Sequence, residues 1–228
     1  MKIEFHSLHW NNVDADMLAA HQSVMRHFDI PMQYHAVDGI NHGQWMTDVL
    51  RSSSADITVF LEPDCVPVNE SNIVRCLEWV YDHDSFLGIA QVSNHIPPKS
   101  HVYAAPGFYC MTKSAYSRLG QPSLVQTARS DIAEEVSYQA ENIGLRYRAL
   151  RPDAFEKQPT EGLWPLSCLG YYGIGTVFEN TVYHLFQSRF AENIDLFVRR
   201  CDQIVKGEFS TKEFTPSTSY KFQGHIVP

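Results

Sequence analysis

Apolar residues along the chain switch repeatedly between two spacings, and the switching predicts the fold. Residues 3–8 (Ile-Glu-Phe-His-Ser-Leu) read as a short strand, and Val13 to Phe28 carries apolar positions at helical spacing until Pro31 forces a restart. A second strand over 32–37 ends at Asp38-Gly39, after which Trp45, Met46, Val49 and Leu50 mark one face of a second helix. Ile57 to Leu61 is an unbroken apolar run between Asp56 and Glu62, as expected of a parallel strand covered on both faces at the centre of a sheet. Asn69 or Ser71 caps a third helix bearing Ile73, Val74, Leu77 and Val80, and Phe86 to Val92 returns as a strand. Repeated β-α steps predict an α/β fold with a doubly wound, mostly parallel sheet and flanking helices.

Beyond Val92 the pattern is less regular. Pro97-Pro98 marks a loop, 107–111 a short strand, 113–119 a helix, and 132–142 another helix that stops at Gly144, followed by a strand-like 145–150. A Gly- and Tyr-rich stretch at 170–175 precedes a strand-like 181–186 and an amphipathic helix over 194–205. From Glu208 the chain reads as a polar tail. The expectation is one domain over 1–207, divided into halves at 1–95 and 96–207, with a tail at 208–228.

Composition narrows the class. With 228 residues, 44% of them hydrophobic, the chain can bury one sizeable core. It has neither a charged-then-apolar leader nor an apolar run near the ~20 residues that span a bilayer, so the expected location is cytoplasmic. Cys65, Cys76, Cys110, Cys168 and Cys201 are an odd, widely spaced set without a CxxC pair, read as reduced thiols. A formal charge of −8 gives no general attraction to nucleic acid or an anionic membrane. Arg146, Arg148 and Arg151 are the nearest thing to a basic patch and read more simply as a solvated face.

The chemistry concentrates in Phe60-Leu-Glu-Pro-Asp-Cys-Val-Pro67, which sets Glu62 and Asp64 at the carboxyl end of the most buried strand, where open α/β sheets bind ligands. Two acids separated by one residue can hold a hard divalent cation, although Glu-Pro-Asp is also ordinary turn chemistry. This segment resembles the acid-x-acid motif of GT-A glycosyltransferases, with Glu62 in place of the more usual first aspartate. Two more segments are similar to that family in the expected order. Pro106 to Gly120 resembles its acceptor-side strand and helix, and Ala133 to Tyr147 its acidic helix, with Glu135 where aspartate is usual.

The resemblance implies a GT-A fold and a metal-dependent transfer of a sugar from a nucleoside-diphosphate sugar, UDP-sugars favoured, with Mn2+ or Mg2+ as cofactor. It implies Asp64, Glu62 and the late His184 as metal ligands, and His6, Ser7 and Asp38 at the nucleotide, with Glu62 also near the donor. Asp48 and Arg51 on the second helix, or Arg189, are available to the donor and its diphosphate. On the acceptor side stand Gly107, Phe108 and, in a loop between Gly162 and Pro165, Trp164.

A helical wheel begun at Ile132 gathers Val136, Gln139, Ala140 and Ile143 into a core stripe, puts Glu134 opposite and leaves Glu135 and Asp131 on the flank. Glu135 is therefore the first candidate for a general base in an inverting displacement and Asp131 the second; Asp131 and Glu134 also fit a capping box. A retaining enzyme would need no such base. The acceptor is left open among a glycan, a lipid-linked saccharide, a protein and modified DNA. A sugar-phosphate nucleotidyltransferase would require a Gly-rich basic first loop, which His6 to Asn12 does not offer. A non-catalytic sugar-binding module remains the other alternative.

Overall fold

The structure is a computed structural model and describes residues 1–93 and 101–217. Pro97-Pro98 and the end of the expected tail lie outside the described residues. The first half runs β1 (Ile3–His9), α1 (Ala15–His27), β2 (Met32–Ala36), α2 (His42–Ser52), β3 (Ile57–Leu61), β4 (Cys65–Pro67), α3 (Glu70–Asp82) and β5 (Phe86–Val92). The second half continues β6 (Val102–Thr112), α4 (Lys113–Arg118), α5 (Glu134–Ile143), β7 (Arg148–Leu150) and β8 (Pro152–Lys157). It ends with β9 (Trp164–Pro165), β10 (Tyr171–Tyr172), β11 (Ile174–Phe178), β12 (Val182–His184), α6 (Ala191–Lys206) and β13 (Thr215–Pro216).

Side-chain caps fix where the early helices begin. Asp14 accepts from the amides of Asp16 and Met17, Asn41 from Gln44, and Asn69 from Asn72, so Asn69 rather than Ser71 caps α3. Each cap satisfies an amide that has no partner within its helix and contributes about 1 kcal/mol.

The central sheet has six strands in the order β2-β1-β3-β6-β5-β7. All five residues of β3 are buried, as the apolar run predicts, and β3 lies inside the sheet between β1 and β6. The fold is mixed α/β with a mainly parallel sheet. The exception is β6, which runs against both β3 and β5. Its direction has a simple cause: the stretch from Val92 to Val102 is shorter than the dozen or so residues a parallel crossover needs.

A second sheet, entirely antiparallel, orders five strands as β13-β8-β11-β12-β4. The chain expected as a tail is part of it up to Ser217: β13 pairs with β8, and Phe214 is buried. Arg200 on α6 secures this end, pairing with Glu156 of β8 at 2.6 Å while its guanidinium lies over the Phe214 ring.

Helix α5 departs from its wheel. It begins at Glu134 after a left-handed Ala133 (φ 65°) and buries Glu134, Val136, Ser137 and Ala140, while Ile143 is 53% exposed. The reason is a polar partner on another strand. Glu134 accepts from His101, the residue just before β6 (2.7 Å), and from the Asp131 amide (2.7 Å), the second bond being half of the expected capping box.

Candidate metal centre and adjoining cavities

The two sheets meet at the acid pair. Glu62 directly follows the central strand β3, its amide held by the Gly107 carbonyl of β6, and the Cys65 amide closes a turn onto the Glu62 carbonyl. That turn passes the chain into β4, which pairs with β12 in the register His184↔Cys65, while the Leu185 amide donates to the Asp64 carbonyl. His184 Nε2 thereby lies 3.3 Å from Asp64 Oδ1 and 3.5 Å from Glu62 Oε2, and one ligand atom from each residue fits within 4.8 Å. Gly107 permits the approach, because a Cβ there would meet the His184 ring at 3.3 Å and Ile89 at 2.7 Å.

This centre is electrostatically incomplete. Burial disfavours a charged imidazole, but Asp64 and Glu62 outweigh it and push the His184 pKa up to about 9. Burial likewise disfavours the Asp64 carboxylate, and the facing His184 holds its pKa below the ordinary value nonetheless. Asp64 Oδ1 and both ring nitrogens of His184 are buried without an aligned hydrogen bond among the described residues. Two carboxylates and an imidazole with polar atoms left unsatisfied fit a divalent cation such as Mn2+ or Mg2+.

Three cavities surround the centre. The first, about 560 Å³, shares Glu62 and Asp64 and is walled by Trp10, Asn12, Asp14, His42, Ser188 and Arg189. The second, about 250 Å³, lies on the other side of Glu62, Asp64 and His184 and reaches Gln91, Tyr103, Gly107 and Asp131. The third, about 560 Å³, adjoins the second through Phe186 and Gln187 and is walled by Trp164 and Tyr172.

The structure thus brings together Glu62, Asp64, His184, Gly107 and Asp131, with Arg189 in the first cavity and Trp164 in the third. Other sequence candidates lie apart. His6 and Ser7 are buried within β1, His6 Nδ1 facing His35 Nε2 at 3.1 Å. Asp38 is occupied by Asn11, accepting its backbone amide at 2.8 Å and its side-chain amide. Asp48 accepts from Gln44, and Arg51 donates to the Gln121 carbonyl; neither lines the first cavity. Phe108 is fully buried because strand alternation turns it away from the face of Gly107, so it is core and not an acceptor contact. Glu135 binds Arg129 through Nε and Nη2 and accepts from Gln139, and it lines none of the three cavities.

Sequence reasoning missed Trp10 and His42. His42 Nδ1 sits 3.4 Å from Glu62 Oε1, and its ring meets Trp10 edge-on at 6.3 Å. Their only signal was position, just past the ends of the first two strands, where such sheets bind ligands.

No family model matches the chain, and no curated protein matches it. Among solved structures it is similar to the mannosyltransferase PcManGT from Pyrobaculum calidifontis in complex with GDP-Man and Mn2+, at 10% identity over 65% of this chain and 54% of that one, with a TM-score of 0.47. A197 from STIV matches at 14% identity over 66% of this chain and 82% of that one, with a TM-score of 0.44. A putative glucose-1-phosphate thymidylyltransferase from Bacillus anthracis matches at 13% identity over 65% and 87%, with a TM-score of 0.42. The chain's own strand order defines a mixed α/β fold with a mainly parallel six-stranded sheet, and the acid pair lies just past the end of β3 in that sheet.

Proposed function

We propose that the chain is a metal-dependent glycosyltransferase that takes a sugar from a nucleoside-diphosphate sugar, with UDP-sugars the first to test. The observation that carries this reading is the convergence of Glu62, Asp64 and His184 at the boundary shared by two cavities. Glu62, Asp64 and His184 would hold Mn2+ or Mg2+, which when bound neutralises charge on a departing nucleoside diphosphate.

The protein's own groups do the rest. The first cavity receives the nucleotide, with Trp10 and His42 offering ring faces and edges to the base and Arg189 a cation to the diphosphate. The second cavity holds the transferred sugar between the metal residues and Asp131. Asp131 is the general base of this reading, taking the proton of the acceptor hydroxyl as it attacks the anomeric carbon in an inverting displacement. Glu135, the leading candidate from sequence, yields that role because it lines none of the three cavities, whereas Asp131 lines the second beside the metal residues.

Thermal unfolding of the full chain with UDP-sugars, with and without Mn2+, tests the reading, followed by an assay of sugar-donor breakdown. Stabilisation that needs both ligands and release of a nucleoside diphosphate are expected. Stabilisation by a nucleoside triphosphate with release of pyrophosphate would replace this reading by nucleotidyl transfer.

A further inference from the structure

We propose that the third cavity is the acceptor subsite and that the acceptor is a neutral oligosaccharide; its role as acceptor rests on the transferase reading above. The cavity lies next to the second one, the two sharing Phe186 and Gln187 in their walls. Phe186 stands edge-on to His184 with ring centroids 4.2 Å apart, so one wall of this cavity packs directly against a residue of the metal centre.

Its walls suit sugar rings. Trp164, Tyr172 and Phe186 form one aromatic cluster, with centroid separations of 5.4 Å (Trp164–Tyr172), 5.4 Å (Trp164–Phe186) and 5.0 Å (Tyr172–Phe186). Trp164 and Phe186 are only partly buried, and the buried Tyr172 lines the cavity with them. Pyranose rings present flat C–H faces that pack against such surfaces, while their hydroxyls need both donors and acceptors nearby. Gln187 and Glu161 supply both at the rim, joined to each other by a 2.9 Å hydrogen bond. The volume of about 560 Å³ is ample for a small-molecule ligand, whose pockets run from about 300 to 1,000 Å³.

Charge selects among the acceptors that the sequence left open. Among the described residues, no lysine or arginine lines the second or third cavity, whereas Glu62, Asp64, Asp131 and Glu161 do. A nucleic acid or an acidic glycan would bring anions to a surface with no cation to meet them. Arg146, Arg148 and Arg151 do not alter this, since none of them lines either cavity and Arg148 pairs with Glu179 at 2.6 Å and packs over Trp79. An uncharged saccharide is the acceptor class that matches both the rings and the charge.

The test is saturation-transfer NMR on the full chain. The probes are a panel of neutral oligosaccharides built from glucose, mannose, galactose, xylose or N-acetylglucosamine, with oligogalacturonate and a short DNA duplex as charged controls. At least one neutral oligosaccharide should bind, and Trp164→Ala should weaken it by about tenfold or more, a loss of the size expected for an aromatic contact. Glu161→Ala changes an exposed residue, so it keeps the test decisive if the tryptophan variant misfolds, and it should weaken binding by about threefold. Neither variant should alter stabilisation by UDP-sugar with Mn2+.

Binding of only the charged probes, binding untouched by both substitutions, or no saccharide binding at all would overturn the subsite. The two readings fail separately. Stabilisation by UDP-sugar and Mn2+ without saccharide binding leaves the transferase and removes this subsite, and Trp164-dependent saccharide binding without that stabilisation does the reverse.

Discussion

Glu62 with Asp64, and Glu134 with Glu135, are both pairs of neighbouring carboxylates turned at least partly into the protein, yet their surroundings make them opposites. On α5 each carboxylate has a dedicated partner: His101 and a backbone amide for Glu134, Arg129 for Glu135. At the end of β3 the acids face an imidazole that serves them both without an aligned hydrogen bond. The first arrangement is internally satisfied and holds the fold. The second is short of positive charge and built to receive it. Carboxylate count is therefore a poor guide to chemistry, and the state of the neighbours decides.

The largest effect that could break this contrast is at the unsatisfied pair. Asp64→Ala should reduce sugar transfer by about three orders of magnitude, since several kcal/mol of leaving-group stabilisation depend on that centre. Steady-state turnover with UDP-sugar and Mn2+ measures it, and near-normal turnover would erase the distinction. Next, Asp131→Asn should lower turnover by about 10²–10⁴-fold with donor binding intact, whereas Glu135→Gln should leave turnover within about twofold of the parent. The reverse ranking would return the base to α5.

The satisfied pair should answer in stability. Glu134→Ala leaves the half-buried His101 without its closest acceptor and should cost about 1–3 kcal/mol in urea unfolding, with Mn2+ binding unchanged. The smallest effect is in pH. Burial lowers the His101 pKa, but Glu134 and Glu141 outweigh it and raise the group above its ordinary value. The folded state thus keeps a proton that the unfolded chain loses above about 6.5. His101's contribution is complete below that pH and fades as pH rises through the folded-state value. Urea unfolding of His101→Gln across neutral to mildly alkaline pH should give a flatter profile than the parent, and parallel profiles would contradict the assignment.

How legible each region was in the sequence follows from range. Strands β1 to β3 and helices α1 to α3 declare themselves because their periods run long enough to read and their caps sit within three residues of what they cap. The second sheet is legible only in β12, which falls inside the strand-like 181–186; β4 has three residues and β13 two, too short to show alternation. The antiparallel course of β6 was latent in the short link from Val92. Glu134 misled the helical wheel because its partner His101 lies 33 residues away. His184 entered through family resemblance, whereas Trp164 was singled out by its loop position. Trp10 and His42 escaped notice because nothing local separates a site aromatic from a core one.

The most direct measurement is an electron paramagnetic resonance titration of Mn2+ into the full chain near neutral pH, with and without UDP. One Mn2+ should bind per chain, more tightly when UDP is present, and Asp64→Ala and His184→Ala should each remove that binding. No stoichiometric Mn2+ uptake in the presence of UDP, or uptake that survives both substitutions, would contradict a metal centre at the junction of the two sheets.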